Sequence, residues 1–295
     1  MRTELFARVG RTMPSPLYGL LVETPGPARP APGWNVAWRV PHWRNGLPAL
    51  LLLALWPHWV YVARRLIDGS DEPWGILALA TVVVLLLRDR KWCELPSRSA
   101  LVASGLLALA AAIADFVLPD LAAAAIAMLA VGVFLVHALR RPAAALIVLL
   151  LLALPIVASL QFYLGFPLRV LVAQASAQLL AGAGLDAVAA GASVVSAGTT
   201  VLVDAPCAGI GMLWLGSYTA ALLSYLHAAN ARRTLANGLL AAVLVLAANI
   251  LRNTVLFFPE SGRVQWPAWS HDVVGLAALA AVIVPLVRFA SRRSA

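Results

Sequence analysis

A cysteine, an arginine and a histidine stand in three separate segments whose residue types suit acyl transfer. Cys207 lies in Val-Asp-Ala-Pro-Cys-Ala-Gly-Ile-Gly, residues 203–211, where an extended, β-rich stretch stops and a long apolar helix is expected to start. Pro206 suits the first helical turn, where its missing N–H costs nothing, with Asp204 or Ala205 as the cap. Cys207 would then face the positive end of the helix dipole, which favours thiolate, the nucleophilic form. Gly209 and Gly211 leave room for another chain segment to approach closely. Arg252 lies in Ala-Asn-Ile-Leu-Arg-Asn-Thr, residues 248–254, and His271 in Trp-Ser-His-Asp-Val-Val-Gly, residues 269–275.

The chemistry follows from the groups. Cys207 would attack a peptide carbonyl. His271 would take the thiol proton, or hold the thiolate as an ion pair, and later protonate the leaving amine. Arg252 would stabilise the oxyanion of the tetrahedral intermediate. Asn249 and Asn253 flank it at i−3 and i+1, and Asn249 is placed to share its helix face and orient the guanidinium. Ser270 is the expected cap of the last helix.

Each of these residues also has a plain structural reading. A lone buried cysteine is usually inert packing. Cys93, in the Lys-Trp-Cys-Glu loop, has no such partners and is expected across the membrane from Cys207, so no disulfide joins them. His271 taken alone fits a capping or interface role. His42, His137 and His227 fall at or beyond the inner face, and His58 inside the first span. Arg252 is the hardest to dismiss, because a charge in a membrane helix costs at least about 2.5 kcal/mol on insertion scales, although a long side chain can snorkel to the surface. Asp115 is either a second intramembrane site or a snorkelling residue near an outer helix end.

These groups must be positioned by membrane helices. The 295 residues are 62% hydrophobic and only 12% charged, with a mean hydropathy of +0.86; a soluble domain is nearer 45–50% apolar. The composition implies an all-α polytopic membrane protein. Eight spans are expected, at 47–66, 74–87, 101–118, 121–138, 143–161, 207–229, 235–257 and 272–289. Residues 1–46, rich in Pro, Arg and Trp, read as a cytoplasmic tail with no secretory leader. Trp34, Trp38 and Trp43 are candidates for the membrane interface. Residues 47–295 form the transmembrane domain. Residues 162–206 interrupt the pattern with an amphipathic helix over 167–184 and two short strands, Ala192–Ser196 and Thr199–Val203, around Ala197-Gly198. Because unpaired strands are not tolerated in hydrocarbon, this stretch should form a small cap at one membrane face or be buried among helices.

The net charge of +9 carries no basic patch interleaved with aromatics, so nucleic acid is not an expected partner; membrane lipids are. With the N-terminus inside and 167–184 not crossing, 17 of the 22 Lys and Arg residues fall on the inner side. The other five are Arg64, Arg65, Arg169, Arg252 and Arg263. This topology puts Cys207, Arg252 and His271 at one depth near the outer face. Neither cysteine has metal-ligand spacing, so no metal and no cofactor are expected.

At these residues the chain resembles the exosortase/archaeosortase family of membrane cysteine transpeptidases. The matching pieces are Pro206-Cys207-Ala208-Gly209-Ile210, Ala248-Asn249-Ile250-Leu251-Arg252-Asn253, and His271 with Gly275 four residues on. The specific part covers roughly 160–290. The resemblance implies about eight transmembrane helices in the inner cell membrane and a site facing the periplasmic, extracytoplasmic side. It implies Cys207 as nucleophile, Arg252 as the oxyanion or substrate arginine and His271 as acid/base. It also implies a partner class: exported proteins whose C-terminal sorting signal is a short motif, a transmembrane helix and a basic tail, bacterial members typically reading Pro-Glu-Pro-type signals. The enzyme would form a thioester on Cys207 and transfer the protein to a surface acceptor. Gly211 and Met212 stand where many bacterial members carry polar residues. An acidic motif would want a cation at the outer face, and Arg169 and Arg263 are available. The rival readings are a transporter, which would explain the interrupted segment and the intramembrane arginine, and a non-catalytic scaffold for surface-polymer export.

Overall fold

The computed structural model describes residues 42–67, 69, 73–89, 96–139, 142–267 and 269–291. Residues 1–41 of the expected tail, with Trp34 and Trp38, and the loop holding Cys93 lie outside the described residues. The helices are α1 (His42–Ala54), α2 (Trp56–Ile67), α3 (Trp74–Asp89), α4 (Arg98–Ala114), α5 (Asp120–Ala138), α6 (Ala145–Leu152) and α7 (Val157–Gly182). Three strands follow, β1 (Ala187–Ala190), β2 (Ser193–Ser196) and β3 (Thr199–Leu202). A 3-10 turn at Ala205–Ala208 then leads into α8 (Ile210–Leu226), α9 (Ala231–Glu260) and α10 (Ser270–Ser291).

The chain is an all-α multi-pass membrane protein, but its described helices do not provide eight full spans. Among the described residues four helices are long and apolar enough to cross a bilayer, α5, α7, α9 and α10, and α1 with α2 makes a fifth if that pair is one span bent by 63°. Pro57 explains the bend, since its ring removes the amide that would continue the ladder from Leu53. α4 and α8 are apolar but have 17 residues each, about 26 Å of helix against a hydrocarbon core of roughly 30 Å.

The expected fifth span, 143–161, is corrected. α6 stops at Leu152 after eight residues, because Pro155 cannot donate to a preceding turn and disfavours helix at Leu154. The chain restarts at Val157 and runs unbroken for 26 residues, through Pro167, to Gly182. The amphipathic helix expected over 167–184 is therefore the second half of a longer one, and Pro167 is interior rather than at its start. By length and apolarity α7 is itself a candidate span.

The strands fall within a residue of expectation at β2 and β3, joined by Ala197 (φ 49°) and Gly198 (φ 80°), a pair of left-handed residues of the kind two-residue hairpins need. The sheet has a third strand: β1 pairs antiparallel with β2, in the order β1-β2-β3. Ala-Val-Ala-Ala carries no strand signature, so β1 was not legible. One face of the sheet packs on α7, with Val172, Ala173, Ala177 and Leu180 against Ala187, Val194, Val201 and Val203.

Two packing centres hold the helices. Around α5, Ala124, Ala127, Met128 and Ala130 are buried against Leu146, Leu149 and Leu150 of α6; small side chains let helix backbones approach where lipid offers no hydrophobic drive. Ser104 of α4 donates to the Ala130 carbonyl at 2.9 Å. Around α8, Trp214 is buried, stacks on Tyr218 at 5.4 Å, meets Trp74 of α3 edge-on at 5.3 Å and donates its indole N–H to Leu152 O at 3.3 Å. These contacts lock α8, and the turn that precedes it, against α3 and α6.

Candidate active site

Cys207 sits in the 3-10 turn, not in the first turn of α8. Gly209 separates the two with φ 88°, and the α-helix begins at Ile210. The turn is pinned from several sides. Asn249 of α9 donates to the Cys207 carbonyl at 2.9 Å, and Asn253, one turn on, donates to the same oxygen at 3.2 Å and to Asn249 O at 2.8 Å. Gln161 of α7 donates to Ala205 O at 3.0 Å. A Cβ on Gly209 would lie 2.8 Å from Asn249 Nδ2, so glycine is required there both for its backbone angle and for space.

Cys207 is 8% exposed and packs with Val203 and Phe257. Burial pushes its thiol above the ordinary thiol range; the Arg252 guanidinium opposes this by charge and hydrogen bonding, while Glu260 and Asp204 add to it. The expectation that the helix dipole would favour thiolate is therefore corrected. The α-helix starts three residues after the sulfur, and loss of hydration decides the sign.

Arg252 comes from the last third of α9 and lines the cleft with His271 and Gly275 of α10. A Cβ on Gly275 would lie 3.7 Å from Arg252 Nε, an ordinary van der Waals contact, so the guanidinium lies against α10. That Nε–H is buried and has no hydrogen-bond partner. Asn249 does not orient the guanidinium, as had been expected, but grips the Cys207 backbone instead. Its Oδ1 is also buried without a partner.

His271 lies one residue into α10, its side chain 44% exposed, with Nε2 3.6 Å from Glu260 Oε1. Ser270 does not act as a side-chain cap; its hydroxyl donates to Pro267 O at 2.6 Å. Glu260 was missed by sequence reasoning, which ended the helix at 257. α9 continues to Glu260 through Pro259, so Glu260 stands eight residues from Arg252 and on nearly the same stripe. The signal was there: Asn249, Arg252, Asn253 and Glu260 recur at helical spacing on an otherwise apolar helix.

A cleft of about 420 Å³ is lined by Trp74, Gly211, Met212, Arg252, His271 and Gly275 among others. A second cavity of about 680 Å³ shares Trp74 and Gly211 with it and adds Gln161, Ala205 and Pro206. Cys207 lines neither. Arg169 and Arg263 also line neither. Arg169 lies over the Phe166 ring at 5.7 Å, and its Nε is buried without a partner. Arg263 donates to Ser196 Oγ at 2.9 Å, tying the turn after α9 to β2. The structure thus brings Asn249 and Asn253 to the Cys207 backbone, Arg252 and His271 to one cleft and Glu260 to His271, and it leaves the two other arginines beside α7 and the sheet.

The model of a known family, the transmembrane exosortases (Exosortase_EpsH), matches residues 66–288. The chain belongs to the transmembrane exosortase family. The match reaches well forward of 160, where the sequence motifs begin, and takes in α3 to α6 as well as the helices of the site. No curated protein and no solved structure matches the chain.

Proposed function

We propose that this exosortase is a membrane-embedded cysteine peptidase and transpeptidase. It cleaves the C-terminal sorting signal of exported proteins, a short motif followed by a transmembrane helix and a basic tail, and passes the shortened protein to a surface acceptor. The observation that carries the reading is Arg252: one guanidinium acts on the Cys207 thiol and borders the cleft that His271 also lines.

In this reading the thiol rests protonated, since burial favours the neutral form. His271 takes the S–H proton as sulfur attacks the scissile carbonyl. The unpaired Arg252 Nε–H is a donor for the oxygen that gains charge. As the C–N bond breaks, the imidazolium returns its proton to the leaving amine and a thioester remains on Cys207. An acceptor amine or hydroxyl, or water, then attacks the thioester, releases the thiol and regenerates the enzyme. Glu260, 3.6 Å from Nε2, steadies the imidazole, and the thiol proton goes to Nδ1 in this reading.

The site is taken to face the extracytoplasmic side of the inner membrane, supported by the 17 of 22 basic residues that fall inside on that topology. The small sheet and the turn at 205–208 then form a cap over this face, with α7 leading into it from the membrane. The hydrogen bond from Gln161 of α7 to Ala205 O, which ties that turn to the helix, supports this. Residues 1–46 form the cytoplasmic tail, and the catalytic part is roughly 160–290.

The test is co-expression with an exported reporter ending in a Pro-Glu-Pro-type motif, an apolar helix and a basic tail. The wild type should shorten the reporter and yield a hydroxylamine-sensitive adduct on Cys207. Cys207→Ala should leave it intact while keeping its membrane level and melting temperature. Undiminished cleavage by Cys207→Ala would remove the proposal.

A further inference from the structure

Away from the Cys207 site, α2 carries a polar stripe that no step of the reaction uses. Pro57, His58, Tyr61, Arg64 and Arg65 recur at three- and four-residue spacing, so they share one face of the helix, and all of them line a cavity of about 640 Å³ closed by Asp115 and Asp120. Inside it Asp115 is taken: its carboxylate lies 3.5 Å from Nδ1 of the buried His58. The arginines do not share that pair, and the Arg65 Nε–H is buried with no acceptor. Two guanidiniums thus share the cavity with Asp120, the carboxylate that His58 does not engage, and the Arg65 Nε–H lacks an oxygen.

The same cavity has an apolar extension. Trp56, at the bend between α1 and α2, is shared with a second cavity of about 710 Å³ walled by Leu51, Trp59, Val82, Phe134 and Leu150. Phe116 and Val117, next to Asp115, are 90% and 77% exposed. A soluble anion would satisfy the arginines and leave this apolar half empty; an amphiphile fills both. We infer that the bend between α1 and α2 binds one membrane phospholipid, its phosphate on Arg64 and Arg65 and an acyl chain in the cavity beyond Trp56. His58, Arg64 and Arg65 precede residue 66, where the family match begins, while Asp115, Asp120 and the apolar walls beyond Trp56 at Val82, Phe134 and Leu150 lie within it.

Full-length protein in a neutral detergent would be measured by native mass spectrometry against dioleoylphosphatidylglycerol, dioleoylglycerol and inorganic phosphate. The expected result is one phosphatidylglycerol retained per chain, bound at least roughly tenfold more weakly by the R64Q/R65Q double variant. R64K/R65K should recover much of the binding, and millimolar inorganic phosphate should not displace the lipid. Asp120→Asn, which removes the opposing charge, should tighten binding and gives an independent reading should the double variant fold poorly. Equal retention by the wild type and R64Q/R65Q would overturn the inference. So would dioleoylglycerol binding as well as the phospholipid, inorganic phosphate competing it away (a soluble-anion site), or Asp120→Asn leaving the affinity unchanged.

Discussion

Replacing Gly209 by alanine tests whether the turn is what places the thiol. Gly209 has φ 88°, and its added Cβ would meet Asn249 Nδ2 at 2.8 Å and Cγ at 2.9 Å. A left-handed angle costs a non-glycine residue roughly 1–2 kcal/mol. The clash also displaces the Asn249 amide, and losing its bond to the Cys207 carbonyl costs about another 0.5–1.5 kcal/mol. The sum, about 2–3 kcal/mol, falls on one turn. The variant should melt lower in detergent. A thiol displaced by about 1 Å should also cost on the order of a hundredfold in reporter cleavage. Gly211→Ala is the internal control. Gly211 lies two residues on in the same motif, has no positive φ and has nothing within 4 Å of an added Cβ, so its melting temperature should hold or rise slightly. Gly209→Ala and Gly211→Ala melting alike would refute the assignment of strain and space to Gly209.

Two further substitutions separate the roles around the thiol. Arg252→Lys keeps the charge but loses the planar donor that faces the cleft, so cleavage should fall about 10²-fold or more; near-normal turnover would reduce Arg252 to a source of positive potential. Glu260→Gln should lower kcat roughly tenfold with little change in KM, because the imidazole is less firmly held while the cleft is unaltered. Glu260→Asp should recover part of this, and a change confined to KM would place Glu260 in substrate binding instead.

That Arg252 and His271, 19 residues apart, share one cleft was legible because membrane topology converts one-dimensional spacing into depth: one helix ends where the next begins, and their termini present side chains at one level. The side of a helix was legible too, and this grouped Asn249 with Arg252. What spacing does not tell is which neighbour a face meets. Asn249 was therefore paired with the guanidinium beside it in sequence rather than with the Cys207 carbonyl of another segment. Prolines misled in both directions. Pro167 and Pro259 looked like helix boundaries and proved interior, where α7 and α9 run through them; Pro155 sat inside an expected span and ends α6. Each reversal turns on whether tertiary packing offsets one lost hydrogen bond, which a local reading does not contain. Glu260 was lost from the site for that reason alone.

The arrangement has a mechanical logic that rests on α9. Asn249 and Asn253 hold the backbone oxygen of Cys207, while Arg252, between them in sequence, bears on the thiol by its charge, and Glu260, two turns on, meets His271. The backbone of the nucleophile, the cation beside its thiol and the partner of the imidazole are thus carried by one rigid element. Their separations are set by helix geometry, at about 1.5 Å per residue, rather than by loops. The remaining freedom lies in the turn that bears Cys207 and in the start of α10, and both are tied back: the turn by Gln161 and the two asparagines, α10 by the pairing of His271 with Glu260. A buried thiol that needs a base, and an arginine that lacks an acceptor, are costly in an apolar bundle. Held at fixed spacing on such a scaffold, they make sense as two halves of one step, in which the sulfur gives up its proton as the guanidinium gains an oxyanion.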